Sequence, residues 1–286
     1  MKSILELNNV RKEYKDFILK DISFTLNRGY IMGFIGPNGA GKSTTIKLIM
    51  NLLKKNNGEI KILGLDNIKH ENEIKQRIGF VYDENHFYEE LTLKQMKNAT
   101  AGFYVNWSDR LYHKYMINFN LKEDKKIKEL SKGMLMKFSL VLALSHDAEL
   151  IIMDEPTSGL DPVFRSEFLD ILMDIIQDEN KAILFSTHIT TDLEKIADYI
   201  TFINDGSLIF SKTKDELLDS YGIVKGSKEL LNDTLRESLV GIKYNKFGFE
   251  ALTTETIKLR RSYRDELVIE RPTLEDIMLL SIKEDC

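Results

Sequence analysis

Three short runs in this chain are apolar almost throughout, where a half-exposed strand would alternate: YIMGFI (30–35), LIIM (150–153) and AILFST (182–187). A strand that is apolar on both faces has both faces covered, the usual condition of a parallel sheet flanked by helices. Each run stops at residues of a different kind. Gly36 follows the first, Asp154-Glu155-Pro156 the second, and His188 the third. Ligands bind beyond the carboxyl ends of strands in such sheets. The expected fold class is therefore α/β, and those strand ends are where chemistry is expected.

The stretch after the first run, Gly36 to Thr44, reads GPNGAGKST and matches G-x-x-x-x-G-K-[ST]. Given ordinary glycine usage, chance should produce it on the order of once per hundred chains of this length. The strand before it and the helix after it make chance rarer still. Gly36, Gly39 and Gly41 allow a tight turn whose N–H groups point inward at phosphate oxygens. The helix starting near Lys42 adds its positive end. Lys42 is expected to reach the β- and γ-phosphates, and the Ser43 hydroxyl to hold Mg²⁺. That helix, KSTTIKLIMNLLKK, is predicted to keep lysines in its last turn and to stop at Gly58.

A phosphate cradle needs carboxylates next. Asp154 is expected to hold the Mg²⁺ shell mainly through water, and Glu155 to face the attacking water as general base. His188 is expected either to contact a γ-phosphate or to orient Glu155. Alone, each has an ordinary reading: a strand end, a satisfied histidine. The phosphate loop upstream favours the functional one. In LSKGMLMKFSLVLAL (130–144), Ser131 reads as a helix N-cap with Gly133 in the first turn, an arrangement able to bind an anion. Asp161-Pro162 reads as another cap, followed by Phe168, Ile171, Leu172 and Ile175 on one helix face. Thr191 and Glu194 fit a capping box. Asp205-Gly206 sits at the turn of a hairpin over 200–210.

Composition narrows the function classes. The chain of 286 residues has net charge −5, so no basic excess advertises nucleic acid. Its single cysteine, Cys286, excludes a disulfide framework and fits a reducing cytoplasm. No signal peptide is visible, and no apolar run approaches the ~18–20 residues of a spanning helix. Residues 84–145 are mostly helical in pattern. KEDKKIK (122–128) inside that block reads as a solvated face. Beyond about 212 the pattern mixes weak strands, LVGIKY and LVIE, with short helices.

Taken together these pieces resemble the ATP-binding cassette family, specifically the separate nucleotide-binding subunits of bacterial ABC transporters. GPNGAGKST, LSKGM, LIIMDEP, SGLD (158–161) and FSTH come in that family's order and cover about residues 3–210. The resemblance implies a P-loop NTPase cassette, a mixed sheet with a helical subdomain, over 1–211. Residues 212–286 would form a small α/β appendage. It implies that Gly36, Pro37, Asn38, Gly39, Ala40, Gly41, Lys42, Ser43 and Thr44 bind ATP, with Tyr14 stacked on adenine. It also implies a head-to-tail pair of cassettes, identical or not. Ser131 and Gly133 would touch the γ-phosphate held by the partner, and Asp161 would help align the partner's site. A multispanning permease would convert the motion into transport, holding this chain at the cytoplasmic face of the membrane.

Two departures stand out. The family's usual signature is LSGGQ, whereas Lys132 and Met134 replace a glycine and a glutamine here. The family's metal-touching glutamine is replaced by Asp83, with Glu84 as a rival for the role. Both departures, with PTLEDIML (272–279), resemble a Gram-positive subgroup that exports peptides, antibiotics or toxins. An ATPase acting on nucleic acid or ribosomes is the alternative; it would carry two cassettes or a coiled-coil insertion. A P-loop kinase or GTPase would leave LSKGM, SGLD and His188 without a role.

Overall fold

The computed structural model describes residues 3–82 and 87–282. Among them, ten strands form one mixed sheet. These are β1 (Ser3–Glu13), β2 (Ile18–Asn27), β3 (Ile31–Ile35), β4 (Asn57–Ile62), β5 (Leu65–Asp66), β6 (Ile78–Val81), β7 (Leu150–Asp154), β8 (Ala182–Thr187), β9 (Tyr199–Asn204) and β10 (Ser207–Thr213). Their order is β5-β4-β1-β2-β10-β9-β3-β8-β7-β6. The half from β9 to β6 is parallel, whereas β1 pairs antiparallel with both β2 and β4.

The continuous apolar runs lie in that parallel half, and their alternate residues feed two separate cores. Ile31, Ile35, Ile151, Met153, Ile183 and Phe185 point to one face. Met32, Phe34, Leu150, Ile152 and Leu184 point to the other. On the second face lie α1 (Lys42–Ile49) and, at the sheet's far end, α2 (Glu71–Lys75). The helical block contributes α3 (Leu93–Ala101), α4 (Asp109–Asn118) and α5 (Lys132–Leu144) to the first face. There they meet α6 (Pro162–Ile175) and α7 (Thr190–Ile196). Phe138 of α5 and Phe168 of α6 are fully buried. Truncating either to alanine is worth about 3–5 kcal/mol.

Two local expectations are corrected. Helix α1 ends at Ile49, well before the expected cap at Gly58, because Asn51 takes a left-handed φ of 55°. Gly58 instead lies in β4 beside an irregularity in β1, where a Cβ would stand 2.3 Å from the Asn9 carbonyl. Helix α7 has no side-chain cap. Thr191 Oγ1 accepts from Arg165, and Glu194 accepts from the backbone of Leu274, so tertiary partners outcompete the local box.

After β10 the chain forms α8 (Lys214–Ser220), then β11 (Gly222–Gly226), α9 (Asp233–Arg236), β12 (Val240–Tyr244), β13 (Phe249–Thr253), α10 (Thr256–Tyr263), β14 (Val268–Glu270) and α11 (Leu274–Ser281). The sheet order β12-β13-β11-β14, antiparallel throughout, makes β11 to β14 a βαββαβ unit of ferredoxin-like type. One sheet face packs Val224, Phe249 and Ala251 against Leu235 and Leu259 of its own helices. The other packs Ile223 and Leu252 with Ile277 and Leu280 of α11, in a core continuous with Leu193 and Ile196 of α7.

Candidate functional site

Strand register brings the predicted residues to one edge. Ile35 pairs with Thr187, and Ser186 pairs with Asp154, so β3, β8 and β7 end level. The next residues of each strand are Gly36, His188 and Glu155. At Gly36 a Cβ would sit 2.2 Å from the Ile203 carbonyl, so the loop turns where only glycine fits. Gly39 and Gly41 have φ of 81° and 111°, in the left-handed region. The Lys42 side chain is buried, and its Nζ donates to the Gly36 and Pro37 carbonyls at 2.7 and 3.3 Å. Ser43 is exposed at the first turn of α1, while Thr45 is buried with its Oγ1 donating to the Gly41 carbonyl.

Glu155 stands just past β7 with φ of 49°, an uncommon conformation for a residue with a side chain, stored at a strand end. Its N–H donates to the Ser186 carbonyl at 2.9 Å and keeps it in sheet register. One carboxylate oxygen lies 3.4 Å from Lys42 Nζ; the other is 2.8 Å from His188 Nδ1 and accepts the His188 backbone N–H at 3.2 Å. Lys42, Glu155 and His188 therefore form one contact chain across three strand ends. Asp154 ends β7 beside them. The Tyr82 phenol is pushed up by burial and then by the Asp154 carboxylate, which places the end of the β6 segment against the same edge. Asp83 and Glu84 lie outside the described residues.

Tyr14 is exposed in a turn closed by its N–H to the Phe17 carbonyl, with ring centroids 6.5 Å apart. Phe17 in turn lies against Gly41, which sets Tyr14 beside the phosphate loop. Ser131 caps α5, its Oγ accepting from Met134 N at 3.2 Å. A Cβ at Gly133 would stand 2.9 Å from the Phe164 ring, so this glycine also serves close packing of α5 on α6. Asp161 caps α6 through Phe164 N at 3.0 Å. Among the described residues of this single subunit, neither Ser131 nor Asp161 makes a hydrogen bond or ion pair with Lys42, Glu155 or His188; each is engaged in its own helix cap.

Three further residues beside the site, Asp192, Thr157 and Arg165, carry no local pattern that marks them. Asp192, 2% exposed, accepts from Thr157 Oγ1 at 2.7 Å and from Arg165 Nε at 2.5 Å. In sequence it looks like an ordinary first-turn acid of α7; only its burial distinguishes it.

Residues 19–158 match the family model described as ABC transporter. The chain is 34% identical over 204 residues to the ABC transporter ATP-binding protein YtrB of Bacillus subtilis, covering 71% of this chain and 70% of that one. It belongs to the ABC transporter ATP-binding family. A second relative is the bacitracin transport ATP-binding protein BcrA of Bacillus licheniformis, 31% identical over 212 residues, covering 73% of this chain and 69% of that one. A solved structure titled as the ATP-binding subunit of an ABC transporter superposes with TM-score 0.69 at 29% identity, covering 76% of this chain and 92% of that one. As a member of this family, the ABC cassette described here binds nucleotide and is an ATPase coupled to transport.

Proposed function

We propose that this cassette pairs head to tail with a second one, closes on ATP, and drives a separate membrane permease by opening after hydrolysis. The observation that carries this reading is the Lys42–Glu155–His188 contact chain at the ends of three adjacent parallel strands. On nucleotide binding Lys42 exchanges its carbonyl and carboxylate partners for β- and γ-phosphate oxygens. A water attacks the γ-phosphorus, its proton passes to Glu155, and the bond to the bridging oxygen breaks to leave ADP and phosphate. His188 holds the Glu155 carboxylate in the orientation that receives the proton. Nδ1 faces a carboxylate, which only accepts, so Nδ1 carries the hydrogen.

Tyr14 is proposed as the adenine platform and Gly36 to Thr44 as the phosphate cradle. Ser43 and Asp154 offer the hard oxygen donors that suit Mg²⁺, which when bound would neutralise charge on the β,γ-phosphates. Among the described residues no cluster of three or more metal-binding side chains exists. Mg²⁺ held by one or two protein oxygens and the phosphates needs none. Ser131 uses its oxygen as an acceptor for the cap, so its O–H is left to donate to a γ-phosphate on the partner cassette. The Gly133 N–H and Asp161 act on the same partner site.

Residues 1–211 are proposed as the cassette, with its helical part at about 84–145, and 212–286 as an accessory unit. Among the described residues no helix is long and apolar enough to cross a membrane. Attachment at the cytoplasmic face is therefore assigned to the permease, seated over the groove lined by Phe80, Tyr82, Phe87 and Tyr104. Tyr88, next in sequence to Phe87, is largely exposed, and with Leu91 is proposed to meet the same partner. Similarity to the bacitracin transport protein supports export of peptides or other antimicrobial compounds. The test is a pull-down from native membranes with tagged Glu155→Gln in ATP. One enriched multispanning protein supports the reading; ribosomal proteins or nucleic acid with no membrane protein would overturn it.

A further inference from the structure

We propose that Asp192 is a positioning residue for hydrolysis, locking the loop that carries Glu155 to the helix that follows His188. The inference rests on the roles proposed above for Glu155 and His188. A buried carboxylate is retained at a cost unless its partners are well placed, and here both oxygens are engaged. Oδ2 accepts from Thr157, two residues beyond Glu155 and itself 1% exposed. Oδ1 accepts from Arg165 on the first turn of α6, four residues beyond Asp161. Arg165 also reaches Thr191 Oγ1 at 3.0 Å. Asp192 lies four residues beyond His188. One side chain thus joins the segments that carry the base, its histidine and the residue directed at the partner site.

The consequence is a division of labour. The phosphate loop hangs from β3 and α1, and none of its side chains bonds to Asp192, Thr157 or Arg165. Loosening the Asp192 lock therefore leaves ATP capture intact. What suffers is the alignment of Glu155 with His188, which the left-handed Glu155 backbone makes sensitive to the turn at 155–158. Helix α7 has a second attachment. Glu194 accepts from the N–H of Leu274, and its carbonyl accepts from Lys214 Nζ at 2.9 Å, so the same helix carries the C-terminal unit.

The test uses the full chain. Thr157→Val removes one hydrogen bond without changing shape or charge, and the double variant Asp192→Ala/Arg165→Ala removes the buried pair together. ATPase kcat, KM and equilibrium ATP affinity are measured for both, with thermal unfolding to show that they are folded. Glu155→Gln is the reference for lost chemistry. The expected result is a fall in kcat of about tenfold or more in the double variant and several-fold in Thr157→Val. KM and ATP affinity stay within about twofold, because the cradle is untouched. Asp192→Asn, keeping one acceptor, retains more kcat than the double variant. Wild-type kcat in both folded variants, with Glu155→Gln inactive, would overturn the positioning role alone. Wild-type kcat in Glu155→Gln would overturn the base assignment and the positioning role with it. A parallel rise in KM and loss of affinity would show a general structural effect, and would also overturn it.

Discussion

Acidification should destabilise this protein through one side chain, His146. It is 2% exposed, its ring stacked on Tyr104 with centroids 3.8 Å apart and planes 10° from parallel. Nδ1 lies 3.2 Å from the Gln76 carbonyl, which requires hydrogen on Nδ1; Nε2 is buried with no hydrogen-bond partner among the described residues. Protonation would put a charge and an unmatched N–H in that interior. Burial accordingly pushes the imidazole down from 6.5 to about 4. Between those values the unfolded chain takes up a proton that the folded chain refuses, so falling pH favours unfolding. The neutral ring's contribution is fully present above the unfolded value and is lost as pH falls toward 4. In full it amounts to about 3 kcal/mol, of which about 2 kcal/mol goes between pH 7 and pH 5. Urea unfolding of the wild type and of His146→Leu across that range isolates the effect, since the carboxylates titrate alike in both. The wild type should lose about 2 kcal/mol more than the variant. Parallel curves for the two proteins would refute the reasoning.

Three further outcomes are expected. Lys42→Ala should weaken equilibrium ATP binding by roughly 10- to 100-fold, the worth of a charged hydrogen bond to phosphate; unchanged affinity would remove it from the cradle. Gly36→Ala should lower stability by about 1–3 kcal/mol and impair nucleotide binding, because the new methyl meets the Ile203 carbonyl. Thermal unfolding and a binding titration would check both halves. Ser131→Arg should abolish turnover while monomer ATP affinity stays within about twofold, as expected of a side chain that acts on the partner's nucleotide. Weakened monomer affinity would move Ser131 out of that role.

Sequence carried the fold class through residues whose burial leaves a pattern. IMGFI, LIIM and AILFST are apolar because both their faces are covered, and their ends therefore mark one sheet edge. The caps at Ser131 and Asp161 were legible because a hydroxyl or carboxylate three residues before a free N–H is a local device. What was not legible depends on distant partners. Glu194 prefers the end of α11 to its own helix, and Asn51 stops α1 where its composition would continue it. Asp192 and His146 look like surface residues until the elements packed over them are known. The strands GIVKG and FEALT are short and interrupted by glycine or glutamate, so only their pairing in the βαββαβ unit defines them.

The most direct test of the account is the turnover of purified Glu155→Gln, measured together with its oligomeric state in saturating ATP and Mg²⁺. Removing the general base should slow hydrolysis by at least about a hundredfold while ATP still binds, so that a closed dimer accumulates. A monomer that hydrolyses ATP at the wild-type rate would contradict it.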